Sequence, residues 1–179
     1  MDKKETRRQL VEMLEGGRSK TETFKALSGG AVKDRVLAAW IAGRPDPALR
    51  EKHSLKVTLL VVLTCIQAFV GSVAGFFLFY DASAGLALTM LLIAGGIPLL
   101  FAWCFYKNVA AAYTVYIILT ISQVSRMFKG YEEDPVSTVI GVVITLAMVF
   151  YAAWVKSLLF PDLGLIGAKK IKGQFVFSN

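Results

Sequence analysis

Four long apolar segments alternate with short polar connections along this chain. They cover about residues 57–80, 85–106, 109–128 and 136–160. Each is long enough, at about 1.5 Å per residue, to cross roughly 30 Å of hydrocarbon as a helix. Because the connections are short, successive helices must lie antiparallel. The pattern therefore predicts an all-α integral membrane protein with four transmembrane helices in an up-down bundle.

The residues before the first apolar segment follow a different, amphipathic pattern. Helix signals cover residues 3–15, a segment that starts at Ser19, and residues 32–42, and each segment ends at glycine. Glu22, three residues after Ser19, completes a capping box. We predict a small N-terminal helical headpiece over residues 1–45. The residues expected to form its core are Leu14, Phe24, Leu27, Val36 and Trp40.

Two further segments flank the predicted spans. Asp46 followed by Pro47 is a helix start, and we expect this helix to run on into the first span, so that the membrane bundle covers residues 46–160. Residues 161–179 form a basic tail. Its GQFVF stretch alternates weakly, as a short strand does, but the sequence does not identify a pairing partner.

Positive charge is concentrated at the start of the chain. Residues 1–56 hold 13 Lys and Arg against eight Asp and Glu, whereas the rest of the chain holds seven against five. Cytoplasmic loops of membrane proteins carry an excess of Lys and Arg. We therefore expect both termini in the cytoplasm, in a multi-pass protein of a bacterial inner (plasma) membrane. The basic headpiece is suited to anionic lipid headgroups.

Small and polar residues recur at helical spacing within the apolar segments. The first segment carries Gln67, Gly71 and Gly75, of which the glycines form a GxxxG pair. This pair favours close packing of helices, either within the chain or between two copies. In the third segment the polar residues recur in the same way; they are Tyr116, Thr120 and Gln123. They form either a hydrogen-bonded bridge to the first helix or the lining of a water-filled path.

Charged residues flank the connection between the third and fourth segments. Arg126 lies near the outer end of the third helix, where it either snorkels toward the headgroups or contributes to a cation site. The acidic run Glu132, Glu133 and Asp134 is either a solvated loop or an outer mouth that attracts cations.

Chemistry-bearing residues are sparse. His53 is the only histidine and is expected to be solvated at the membrane entry, while Cys65 and Cys104 lie in apolar runs without soft ligands nearby. No phosphate-binding loop, zinc-protease motif or intramembrane carboxylate pair is present. We therefore predict no catalytic residues, no metal site, no cofactor and no enzyme activity. We do not expect nucleic acid as a partner, because acidic residues nearly balance the basic ones in the second and third head helices.

Two functions fit these features. The first is a non-catalytic scaffold, accessory or regulatory protein whose cytoplasmic head docks the membrane surface or a partner protein. The alternative is a homo-oligomeric passive channel, with the polar residues of the third helix facing a shared axis and the acidic run at its outer mouth. Self-association is a requirement of the second function only.

Overall fold

The computed structural model describes residues 2–128, 131–132, 134–164 and 167–178. Of the described residues, 76% are helical. Within the described residues there are eight α-helices and one two-stranded antiparallel sheet. The helices are α1 (Lys3–Glu15), α2 (Lys20–Leu27), α3 (Asp34–Ala42), α4 (Pro47–Lys52), α5 (Ser54–Tyr80), α6 (Ala84–Tyr106), α7 (Ala110–Met127) and α8 (Pro135–Leu159); the strands are β1 (Lys170–Ile171) and β2 (Gln174–Phe175).

Three of the described helices, α5, α6 and α8, are long and apolar enough to cross a membrane. The sequence also predicted a span over residues 109–128, where the structure has α7. This helix is only 18 residues long and contains Thr, Ser, Gln and Arg, and it is not among the three. Three membrane-crossing helices are therefore supported by length and composition, and the fourth span stays a prediction.

The chain divides into two compact units, although the sequence predicted a separate head, bundle and tail. The first unit joins Met1–Arg50 to Lys156–Asn179 and is called the head–tail unit below. The second, Glu51–Val155, is called the spanning unit. The tail predicted over residues 161–179 is therefore built into the same unit as the head.

Local capping explains the helix ends in the head. At α1, Gly17 has a φ of +82°, and the Arg18 amide donates to the Met13 carbonyl at 3.1 Å, which closes the helix in a Schellman motif. The predicted capping box at α2 is present in both directions between Ser19 and Glu22. The third helix begins at Asp34, two residues later than predicted.

The predicted continuity between the helix at Pro47 and the first span is wrong. The helix α4 ends at Lys52, and His53 adopts a non-helical conformation, with φ −110° and ψ 13°, before α5 starts at Ser54. The helix start itself agrees with the sequence, since the Ala48 amide donates to the Asp46 carboxylate at 2.8 Å.

In the spanning unit, α5 and α6 cross where both carry small residues. A Cβ added at Gly71 would lie 3.4 Å from the Ala94 carbonyl oxygen, and one at Gly75 would lie 3.5 Å from the Ala94 Cβ. The helix α6 continues through Pro98, which has no N–H for the carbonyl of Ala94. The GxxxG pair is therefore used for packing between two helices of the same chain.

Candidate functional site

The tail completes the hydrophobic core of the head–tail unit. Phe177, which is 8% exposed, belongs to the same buried cluster as residues of α1, α2 and α3. The ring of Phe24 lies 5.6 Å from that of Phe177 and 5.5 Å from that of Phe175. The buried members of this cluster are Leu10, Leu27, Val32, Leu37, Ala38, Ile41, Ala42 and Phe177.

The strands β1 and β2 form the tail hairpin that presents these aromatic rings. Lys170 pairs with Phe175 and Ile171 with Gln174. The two turn residues, Lys172 with φ +50° and Gly173 with φ +82°, both adopt the left-handed conformation that a tight two-residue hairpin requires. The pairing partner of the GQFVF strand is therefore the basic segment immediately before it.

Asp162 is the polar centre of the contact between the tail and the head. Its carboxylate is 4% exposed and accepts hydrogen bonds from Lys20 Nζ at 2.7 Å and from the backbone and hydroxyl of Ser178 at 2.6 Å each. Burial raises the pKa of Asp162, but the hydrogen bonds from Lys20 and Ser178 and the charge of Lys20 outweigh it, so the pKa is lowered overall. The carboxylate is therefore ionised at neutral pH and accepts three hydrogen bonds.

A buried lysine lies in the last turn of α8. Lys156 is 5% exposed, and its Nζ donates to the Gly164 carbonyl at 2.9 Å. The Gly164 amide in turn donates to the Gly167 carbonyl at 2.8 Å. The segment after α8 is therefore folded back over the Lys156 ammonium.

The predicted head core is reproduced in position for all but one residue. Leu27 is buried, and Leu14, Phe24 and Trp40 pack against the buried cluster. Val36 is instead 37% exposed. The buried residues of α3 are Leu37, Ala38, Ile41 and Ala42. Val36 lies one position before this buried face of the helix, so its side chain is more exposed.

The predicted polar residues of α7 do not share one environment in the structure. Tyr116 and Thr120 are buried within the chain, and the Tyr116 hydroxyl donates to Gln67 Oε1 at 3.0 Å. Gln123 is exposed. The expected hydrogen-bonded bridge to the first long helix is therefore present between α7 and α5, through Tyr116 and Gln67, and Gln123 lies outside it.

The predicted outer-mouth residues are exposed where the structure describes them. Arg126, Glu132 and Asp134 are all exposed, and Glu133 lies outside the described residues. Asp134 also starts α8, since its carboxylate accepts from the Ser137 amide at 3.1 Å. Hydrogen bonds from the side chain and backbone of Ser137 lower the pKa of Asp134. This carboxylate is therefore a helix cap.

Lysine and aromatic side chains stack near the ends of three helices of the spanning unit. Lys56 Nζ lies 4.6 Å from the ring centroid of Trp154, and Lys107 Nζ lies 5.0 Å from that of Trp103. The Tyr151 hydroxyl donates to the Lys56 carbonyl at 3.1 Å. Such amphipathic rings and long cations favour the headgroup level of a bilayer.

His53 is buried at 8% exposure, which corrects the prediction of a solvated side chain. Burial lowers its pKa, and the charges of Lys56 and Lys52 lower it further. Because burial and the neighbouring positive charges both disfavour the protonated imidazole, the neutral form is favoured.

Sequence reasoning did not identify Lys20, Asp162, Ser178 or Phe177 as site residues. The only signal was the alternation of Phe175 and Phe177 in the tail. Within the described ranges, no three His, Cys, Asp or Glu side chains come together in a way that could hold a metal ion.

Together, the fold and these contacts define a helical protein with three apolar helices that could span a membrane. Comparison of the chain with protein-family models, with curated proteins and with solved structures found no match.

Proposed function

We propose that this chain is a non-catalytic membrane protein whose head–tail unit docks the cytoplasmic membrane surface or a partner protein, with the spanning helices as its anchor. The observation that carries the proposal is the head–tail unit itself. Its two parts come from opposite ends of the chain, and they share an aromatic core and a buried ion pair. A tail required only for topology would have no need of such a core.

The same contact supports four membrane crossings. Lys20 precedes all the apolar helices and Asp162 follows them, yet their charged groups are 2.7 Å apart. Both residues must therefore lie on the same side of the membrane, which requires an even number of crossings between them. Three helices qualify by length and composition, and a fourth crossing by α7 would make the number even. Burial of its residues Tyr113, Tyr116 and Thr120 shields polar groups that lipid would not accommodate.

The excess of Lys and Arg in the head favours the cytoplasmic side for this unit. A bacterial inner membrane with anionic lipids would suit its charge. Exposed apolar side chains on α5, α6 and α8, including Phe69, Leu92 and Phe150, would then face the lipid tails.

The test compares the full chain with a variant that lacks residues 1–45 and 161–179. Both segments are removed because Phe177 would lose its core if the head alone were deleted. After chemical cross-linking in membranes, quantitative mass spectrometry should show partner proteins with the full chain and not with the variant. Resistance to alkaline carbonate extraction confirms that the variant is inserted. Equal sets of partners on both chains would contradict docking through this unit.

A homo-oligomeric passive channel is the alternative. Exposure of Gln123, Arg126 and Glu132 toward one end of α7 favours it, whereas packing of Tyr116 and Thr120 inside the chain removes them as pore lining. If the channel exists, Gln123→Leu should change cation conductance in reconstituted vesicles, and Ile121→Leu on the same helix should not. Equal conductance of both variants and the unmodified protein would exclude a lining by Gln123.

A further inference from the structure

A basic cleft in the head–tail unit joins α3 to the tail hairpin. It has a volume of about 270 Å³, and the described residues that line it are Arg35, Gly167, Ala168, Lys170 and Phe175. Arg35 and Lys170 are both exposed at its rim. None of these lining residues is acidic. We propose that this cleft binds a phosphate-bearing anion, and this inference rests on the proposed docking function.

The lysine of the cleft is held in place before any ligand arrives. Lys170 and Phe175 face each other across the hairpin, and the Lys170 Nζ lies 4.5 Å from the centroid of the Phe175 ring. The ring is itself fixed edge-on against Phe24 at 5.5 Å. Stacking over a ring leaves the ammonium hydrogens free to donate to an oxygen anion.

The arginine of the cleft comes from the first turn of α3, the positive end of the helix dipole. Within the described part of the chain, no side chain caps this helix start. The neighbouring acid, Asp34, accepts hydrogen bonds from the Ser28 hydroxyl at 3.0 Å and the Gly29 amide at 3.1 Å, so its carboxylate already has two donors. Among the described residues, no ion pair joins the Arg35 guanidinium to a carboxylate, and Arg35 lines the cleft. Its planar fork of donors is suited to binding phosphate oxygens in pairs.

Two sources could supply this chemistry, a phospholipid headgroup or a soluble phosphate. The first arm of the test uses native mass spectrometry of the full chain in detergent, titrated with phosphatidylglycerol and, separately, with phosphatidylcholine. The variant Arg35→Gln/Lys170→Gln should lower the affinity for phosphatidylglycerol roughly tenfold, because each basic group near an anionic surface contributes on the order of a few-fold or more. Arg35→Lys/Lys170→Arg keeps both charges and should retain most of the binding.

The matched control is Lys33→Gln/Lys172→Gln. These lysines are two residues away from the cleft cations, are exposed and are not lining residues, so the same charge is removed from the same elements. The control should bind phosphatidylglycerol like the unmodified chain. Equal loss in the two variants would show diffuse charge attraction to the lipid, and unchanged binding in the cleft variant would exclude a lipid headgroup as the ligand of the cleft.

The second arm titrates inorganic phosphate and glycerol 1-phosphate into the protein in phosphatidylcholine nanodiscs by calorimetry. Binding that depends on Arg35 and Lys170 in this arm alone assigns the cleft to a soluble phosphate; dependence in the lipid arm assigns it to a headgroup. If binding does not depend on Arg35 and Lys170 in either arm, the cleft is not an anion site. The cross-linking experiment can still show that partner proteins are lost when the head–tail unit is deleted. In that case the anion site is wrong, but the proposed docking function is supported.

Discussion

Lys20 and Asp162 form an ion pair across 142 positions of sequence, with the Lys20 Nζ 2.7 Å from Asp162 Oδ2. The lysine lies at the first position of α2, and the aspartate follows α8. Both side chains are largely withdrawn from solvent, at 12% and 4% exposure. The pair therefore fixes the tail on the head, and under the proposed membrane topology both must lie on the same side.

Removing one partner of this pair should destabilise the head–tail unit strongly. Lys20→Met leaves the Asp162 carboxylate buried with only its Ser178 donors, and we expect a loss of about 2–4 kcal/mol in the free energy of opening. Hydrogen exchange of the α2 and β2 amides in nanodiscs measures this loss. The exposed neighbour Lys25→Met serves as the control, since it should change the free energy by less than about 0.5 kcal/mol. Equal protection in both variants would show that the pair contributes nothing.

The same pair predicts a pH dependence. The pKa of Asp162 is lower in the folded protein than its ordinary value, which is near 3.9 in an unfolded chain. Its stabilising contribution is therefore complete above about pH 4 and is lost as the pH falls through the folded pKa. Hydrogen exchange of the tail hairpin should show protection falling at acid pH, and Asp162→Asn should remove this component of the profile. If the protection of the tail hairpin falls with pH in the same way in Asp162→Asn and in the unmodified protein, the acid sensitivity comes from other groups.

Phe177 and Val176 offer a comparison of a buried and an exposed tail residue. Phe177→Ala removes a ring that is 8% exposed and should cost about 3 kcal/mol or more, because the cavity is lined by head residues. Val176→Ala, at a side chain that is 41% exposed, should cost less than about 1 kcal/mol. Limited proteolysis of α1 and α2 in the full chain reports the difference. Similar cleavage of the two variants would show that the tail does not complete the head core.

The helix ends could be predicted from sequence because capping is local. Ser19 and Glu22 are three residues apart, and their hydrogen bonds depend on little else. The contact of the tail with the head could not be predicted, since no local pattern relates Asp162 to Lys20. Val36 was misplaced because the prediction favoured large apolar residues, whereas Ala38 and Ala42 are fully buried in α3. Small residues permit close helix contact but contribute little to a hydrophobic pattern.

The crossing of α5 and α6 should depend on Ser72 and Gly95 together. A Cβ at Gly95 would overlap the Ser72 hydroxyl, which donates to the Leu91 carbonyl at 3.3 Å. Gly95→Ala should therefore cost about 1–3 kcal/mol. In Ser72→Ala/Gly95→Ala the nearest remaining side-chain atom would be the residue 72 Cβ, at 3.4 Å, so most of the loss should be recovered.

Gly96→Ala is the matched control for this pair, because a Cβ added there meets no described atom within 4 Å apart from its chain neighbours and its own helix backbone. Unfolding in detergent, followed by tryptophan fluorescence, is measured for the unmodified protein, Ser72→Ala, Gly95→Ala, the double variant and Gly96→Ala. Additive effects of the Ser72 and Gly95 substitutions would show that the two residues are not in contact.

Four membrane crossings predict a specific pattern of surface labelling. In a variant with Cys65→Ala and Cys104→Ala, single cysteines at Ser83 or Glu132 should react with a membrane-impermeant maleimide in intact cells. Cysteines at Lys33 or Lys172 should react only after the cells are opened. If α7 does not cross, Glu132 is protected and Lys172 becomes accessible from outside while Lys33 stays protected. That result would place the two ends of the chain on opposite sides, where Lys20 and Asp162 could not be 2.7 Å apart; it would therefore contradict the head–tail unit as well as the fourth span.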